Sequence, residues 1–143
     1  MTAPLLDVRN LEVVFPDADG PDTRAVDGVD LEVHSGEIHG LVGESGSGKS
    51  VTARTVLKLL DDATVTADAL TYDGESLPER TDAEMRSIRG AEIGMIFQDS
   101  LSALNPVMTV GEQIAEVVRH HTDVPESTGL FSELRRKYVT GTD

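Results

Sequence analysis

Residues Gly43-Glu44-Ser45-Gly46-Ser47-Gly48-Lys49-Ser50 fit the pattern G-x-x-x-x-G-K-[ST], and no other stretch of the chain restricts its fold so tightly. A loop of this kind functions only where it leaves a strand and opens into the N-terminus of a helix, so it commits its neighbours as well. Ile38-His39-Gly40-Leu41-Val42, just before it, is short and mostly apolar, which predicts a buried parallel strand; Val51 to Leu60, just after it, has helical spacing. Glycines 43, 46 and 48 tolerate positive φ and let the main chain come close to an anion. Successive N–H groups from Gly43 through Val51, including those of Glu44, Ser45 and Ser47, can then cradle phosphate oxygens at the positive end of the helix. Lys49 is the expected partner of the β- and γ-phosphates of ATP, and the Ser50 hydroxyl the expected ligand of Mg²⁺.

Length and charge set the bounds around that site. A chain of 143 residues is about one domain and can bury a real core. Twelve Lys and Arg against twenty-six Asp and Glu give a net charge of −14, which argues against nucleic acid as a partner. The acids are spread along the chain and only Lys49, Lys58 and Lys137 are lysines, a pattern expected of a halophilic surface as well as of an ordinary acidic protein. Because the overall field repels a polyanion, the loop must solve that problem locally, with backbone dipoles, one ammonium and Mg²⁺. No cysteine is present, so disulfides and Cys-based metal sites are excluded. The N-terminus lacks a basic, apolar leader and no window is long and apolar enough to span a bilayer, so the expected location is cytoplasmic, with no direct membrane insertion.

Leu11 to Phe15 is a strand candidate stopped by Pro16, and Ala25 to Val33 alternates apolar and acidic residues from Val29, as a half-exposed strand does. Two edge-type strands ahead of a buried one predict a small antiparallel sheet beside a parallel core. Phe15 ends the first strand, where its ring could stack on adenine; a core phenylalanine is the alternative. Leu57-Lys58-Leu59-Leu60-Asp61-Asp62 imitates an apolar strand ending in acids, but it reads as a continuation of the helix that starts at Lys49. Val65 to Tyr72 predicts a strand with a turn at Asp73-Gly74, and Thr81-Asp82-Ala83-Glu84 predicts a capped helix through Met85 and Ile88 to Gly90.

Ile93-Gly94-Met95-Ile96-Phe97-Gln98 reads as an apolar strand ending on an amide. Gln98 offers an acceptor and two donors, so beside the phosphates it could ligate Mg²⁺ and orient water. Thr109 with Glu112 predicts another capped helix, with an apolar face of Val110, Ile114, Val117 and Val118. His120 and His121 diverge on a helix and cannot converge on one ion. A further helix is expected to begin within Leu130 to Tyr138.

The phosphate loop followed by Gln98 at the end of an apolar strand resembles the nucleotide-binding domain of ABC transporters, an α/β P-loop NTPase fold with an N-terminal antiparallel β subdomain. Leu104-Asn105-Pro106-Val107-Met108-Thr109-Val110-Gly111-Glu112-Gln113-Ile114 makes it resemble, more narrowly, the ATP-binding subunits of oligopeptide, dipeptide and nickel importers. The resemblance implies that Phe15 stacks on adenine, that Gln98 contacts Mg²⁺ and acts in catalysis, and that residues 1–104 belong to the ATP-binding core. It implies that residues 105–143 open a helical subdomain, truncated here, which docks on transmembrane permease subunits, and that a second ATP-binding subunit completes the site. The 143 residues contain no Leu-Ser-Gly-Gly-Gln signature, no apolar strand ending in Asp-Glu and no switch histidine in the required order. The expectation is therefore the N-terminal part of a peptide-importer ATPase, peripheral on the inner face of the membrane; the alternative is a module that binds nucleotide or permease without hydrolysis.

Overall fold

The computed structural model describes residues 3–99 and 104–121, which fall into two compact units divided between Arg89 and Gly90. The first unit is built on an antiparallel sheet. Strand β1 (Leu6–Phe15) pairs along its length with β2 (Thr23–Val33) on one side. On its other side lie β3 (Thr64–Thr66), opposite residues 12–14, and β4 (Ala69–Tyr72), opposite residues 6–9; β5 (Glu75–Ser76) continues from β4. The sheet order is β2-β1-β4-β5, so β1 is central rather than an edge strand, which corrects the expectation from its sequence. Its mixture of apolar and charged residues is explained by a bulge.

Strict alternation would put Val8 and Leu11 on opposite faces. Instead Asn10 adopts φ 47° and its N–H donates to Asp30 Oδ1 at 2.7 Å, while Gly28, at the next register shift, takes φ 70°. The inserted residue rephases the strand, and Val8, Leu11 and Val13 all become fully buried. Val26, Leu70, Leu77, Met85 and Ile88 complete most of this core. The β4–β5 turn is the expected one: Asp73 and Gly74 both have positive φ, at 49° and 77°.

Helix α1 (Lys49–Val56) follows the glycine-rich loop and contacts β2. It buries Thr52, Thr55 and Val56, and the two threonine hydroxyls donate to Gly48 O at 3.1 Å and Val51 O at 2.8 Å, so neither is left unsatisfied. The helix stops at Val56, and residues 57–62 do not continue it as their sequence suggests. Lys58 turns left-handed at φ 49°, with Lys58 N–H donating to Thr55 O and Leu59 N–H to Arg54 O, the paired bonds of a Schellman termination. The side chain of Lys58 then donates to Pro78 O and Arg80 O, and Arg89 donates to Leu57 O and Lys58 O. Long-range partners therefore end a helix that local propensity would have extended. Helix α2 (Asp82–Ile88) carries the expected capping box between Thr81 and Glu84 and ends ahead of Gly90 at φ 84°.

Two predicted strands are absent. Residues 38–42 and 94–97 carry no strand pairing, and Ile38, Val42 and Ile96 are 99%, 91% and 94% exposed. No parallel pairing occurs among the described residues. The physical reason is that an apolar strand of this kind is stable only between hydrogen-bonded neighbours with both faces covered.

In the second unit, α3 (Val110–His121) begins at a capping box: Thr109 Oγ1 accepts from Glu112 N–H at 3.3 Å, and Thr109 N–H donates to Glu112 Oε2 at 2.9 Å. The face expected to be apolar is largely exposed at Val110, Ile114 and Val117, and Ala115 is the buried position. The sequence-predicted helix in residues 130–138 lies outside the described residues.

Candidate functional site

Three helices give an internal comparison at their N-termini. Both α2 and α3 have a Thr–Glu capping box that occupies their first N–H groups. By contrast α1 has Gly48 as N-cap, no side-chain cap and no acidic residue in its first turn. Its positive end is therefore left without a side-chain acceptor.

The loop that delivers α1 is shaped by its glycines. Gly46 and Gly48 have φ 83° and 85°, a left-handed backbone that glycine adopts without steric cost, and Ser47 N–H between them donates to Glu44 O at 3.2 Å. A Cβ on Gly48 would collide with the Ala25 carbonyl oxygen of β2, and one on Gly43 would come within 2.5 Å of Ser47 Oγ. Glycine is required at 48 for two independent reasons. Lys49 Nζ donates to Gly43 O at 2.8 Å, Glu44 O at 2.6 Å and Ser47 Oγ at 3.1 Å, which places the ammonium across the loop. Ala25, Gly46, Ser47, Gly48, Lys49, Ser50 and Val51 line an open cavity of about 160 Å³. An uncapped helix end, with its main-chain N–H donors, and a tethered ammonium meet on this cavity, an arrangement that can receive a phosphate chain.

Most residues singled out in the sequence thus converge. Gly43, Glu44 and Ser45 form the outer part of the loop and are exposed; Gly46 through Val51 line the cavity. Ser50 is exposed and offers one hydroxyl there. Among the described residues no three His, Asp or Glu are grouped to hold a metal ion. The single Ser50 hydroxyl on the cavity fits a site for Mg²⁺, which takes few protein ligands and completes its shell with substrate phosphates and water. Phe15 is half-buried at the end of β1, opposite Thr23, and does not line the cavity. Gln98 belongs to the second unit and is exposed at a bend in a segment without strand pairing.

Sequence reasoning missed two contributors. Ala25 lines the cavity and sets the seat of Gly48 through its carbonyl, a main-chain contact that no side chain announces. Gln113 donates from Nε2 to Asn105 O at 3.1 Å and Met108 O at 3.2 Å, and its Oε1 accepts from Asn105 N–H at 2.8 Å. The Asn105 side chain accepts from Val107 N–H, so the Leu-Asn-Pro segment is tied to α3 by its own residues. The recurrence of Asn105 and Gln113 in the resembling motif was visible, but not their mutual bond.

The sequence model of the ABC transporter family matches residues 26–140, which include the whole loop, α1 and every residue lining the cavity except Ala25. The chain belongs to the ABC transporter family. This ABC transporter chain is 47% identical over 132 residues to a probable peptide ABC transporter ATP-binding protein, y4tR, of Sinorhizobium fredii. That match covers 91% of this chain and 39% of the relative. It is 44% identical over 125 residues to the dipeptide transport ATP-binding protein DppD of Escherichia coli, covering 87% and 38%. With a putative peptide import ATP-binding protein of Brucella abortus it shares 49% over 121 residues, covering 84% and 36%. The ABC transporter chain thus spans less than two-fifths of the length of these relatives. No described helix is long and apolar enough to cross a membrane.

Proposed function

We propose that this chain is the nucleotide-binding part of the ATP-binding, energy-coupling subunit of a peptide importer. The observation that carries the reading is the uncapped start of α1, with Gly46 and Gly48 left-handed and Lys49 stretched over the same cavity. Main-chain N–H groups from Gly43 to Val51 bind the phosphates of ATP. Lys49 exchanges its loop carbonyls for β- and γ-phosphate oxygens, a charge-assisted gain, and Ser50 with Gln98 contributes to the Mg²⁺ shell. Bound Mg²⁺ supplies charge neutralisation between the phosphates. Phe15 packs on the adenine. Peptide as cargo is supported by the relatives, one named a probable peptide ABC transporter ATP-binding protein and another a dipeptide transport ATP-binding protein.

Residues 1–104 act as the core and residues 105–143 as the opening of a helical subdomain that meets transmembrane permease subunits at the inner face of the membrane. A second ATP-binding subunit contributes the other half of each site. The sequence contains no apolar strand ending in Asp-Glu to supply a base for water and no switch histidine in the required order, so on its own the chain binds nucleotide without turning it over. Isothermal titration with Mg-ATP in KCl buffer should give a one-site isotherm. Lys49→Ala should weaken it by about ten- to a hundredfold, the loss of a charge-assisted bond of 1.5–3 kcal/mol. Folded protein giving no heat, or Lys49→Ala binding as the parent does, overturns the reading; Lys49-dependent phosphate release by the isolated chain overturns the claim of incompleteness.

A further inference from the structure

Helix α1 buries two threonines, Thr52 and Thr55, each only 3% exposed, and both hydroxyls bond back to the carbonyl four residues earlier. Thr55 Oγ1 donates to Val51 O at 2.8 Å, inside the helix. Thr52 Oγ1 donates to Gly48 O at 3.1 Å, and Gly48 is the N-cap. That carbonyl also accepts Thr52 N–H at 2.8 Å, so one residue supplies two donors to it.

Gly48 O shares a planar trans peptide with Lys49 N–H, and the two groups point in opposite directions. With the carbonyl held along α1 toward Thr52, Lys49 N–H is sent out of the helix end, where Lys49 lines the cavity. This peptide needs a second hold because it follows a left-handed glycine, φ 85° and ψ −2°, whose backbone reaches other conformations at little cost. Turning the peptide over would replace a donor at the cavity by an acceptor, which repels phosphate. A hydroxyl donating to the carbonyl also polarises the peptide and strengthens its N–H as a donor. The Thr55 bond does neither, because the peptide it holds carries Thr52 N–H, already spent on Gly48 O. Thr55 is thus a control of the same chemistry and burial in the same helix.

We propose that Thr52 is a positioning residue for the phosphate site, its hydroxyl fixing the Gly48–Lys49 peptide so that Lys49 N–H meets the incoming phosphate. The inference rests on the nucleotide-binding reading and adds to it a buried residue outside the G-x-x-x-x-G-K-[ST] pattern. Thr52 does not line the cavity and acts through Gly48.

Isothermal titration with Mg-ATP and thermal unfolding, both on the full chain, separate positioning from packing. Thr52→Val keeps the volume and loses the hydroxyl, so affinity should fall about three- to tenfold while the midpoint stays within about 2 °C. Thr52→Ser keeps the hydroxyl and loses a buried methyl, so affinity should stay within about twofold while the midpoint falls by about 3–5 °C. Affinity then follows the hydroxyl and stability the methyl, a crossing that a residue serving only to pack cannot produce. Thr55→Val should bind within about twofold of the parent. If Thr52→Val does not fold by circular dichroism, Thr52→Ala takes its place; it differs from Thr52→Ser by the hydroxyl alone and should bind about three- to tenfold more weakly than that variant. A folded variant without the hydroxyl that binds as the parent does overturns the inference, and so does an equal loss in Thr52→Val and Thr55→Val; both leave the nucleotide reading standing. Absence of binding heat in the folded parent sinks both.

Discussion

Gly48 is where a single atom decides the site. Gly46 and Gly48 share nearly the same left-handed φ, but a Cβ on Gly46 meets open space while one on Gly48 strikes the Ala25 carbonyl. Gly46→Ala should therefore cost only the left-handed penalty, about 1–2 kcal/mol, whereas Gly48→Ala adds a main-chain collision and should cost about 3 kcal/mol or more. Urea unfolding of the pair measures the difference, and equal midpoints would mean that β2 yields easily. Phe15→Ala should reduce ATP affinity about tenfold or more, from a stacking contribution of 1–3 kcal/mol, with little loss of stability because the ring is only half-buried. Fluorescent-nucleotide titration checks it; unchanged affinity assigns the ring to packing alone. The loop was legible in the sequence because its spacing is itself the chemistry: glycines where φ is positive, lysine and serine where the helix opens. The Ala25 carbonyl was not legible, since any residue at 25 presents the same oxygen and only the bulged β1–β2 register aims it.

Secondary-structure elements divide by where their instructions lie. The helices α2 and α3 start where Thr81–Glu84 and Thr109–Glu112 say they should, and the Asp73-Gly74 turn forms where it is written, because each depends on groups within four residues. Thr81→Ala should cost about 1 kcal/mol and shorten α2, seen as lower amide protection in residues 82–86. The boxes also carry a pH signature. The Thr81 backbone N–H, then its hydroxyl, holds the Glu84 carboxyl below its ordinary 4.5, and the Thr109 hydroxyl, then its N–H, does the same for Glu112. Since the folded values are lowered, this stabilisation is complete above the unfolded value and disappears as pH falls through the folded one. Helical ellipticity should thus hold from neutrality to about pH 4.5 and decline below it, with Thr81→Ala flattening part of the decline. The end of α1 was misread because its stop comes from Arg89, Pro78 and Arg80, far along the chain. Residues 38–42 and 94–97 were misread for the converse reason: their composition describes a strand, but composition supplies no neighbour to pair with.

On the scale of the whole molecule, two properties pull against each other. A charge of −14 on 143 residues means that bringing the carboxylates together costs self-repulsion, which dissolved salt relieves. Thermal unfolding followed by circular dichroism should therefore show the midpoint rising from dilute buffer to molar KCl, and a flat series would leave an ordinary acidic protein. Fold class was readable at this scale because one loop fixes so much around it, and the antiparallel sheet formed from the two expected N-terminal strands, with β1 at its centre rather than at its edge. What could not be read was the bulge at Asn10, since an inserted residue leaves the apolar count unchanged while moving every side chain beyond it to the opposite face. The bare Ile38, Val42 and Ile96 side chains supply the opposing property. Ions that quiet the carboxylates also strengthen contact between oily surfaces, so the same salt that tightens each molecule should make neighbouring molecules cling. Preparations should accordingly have a working window, clouding at the saline end and loosening at the dilute end, with dye-reported greasy surface present throughout.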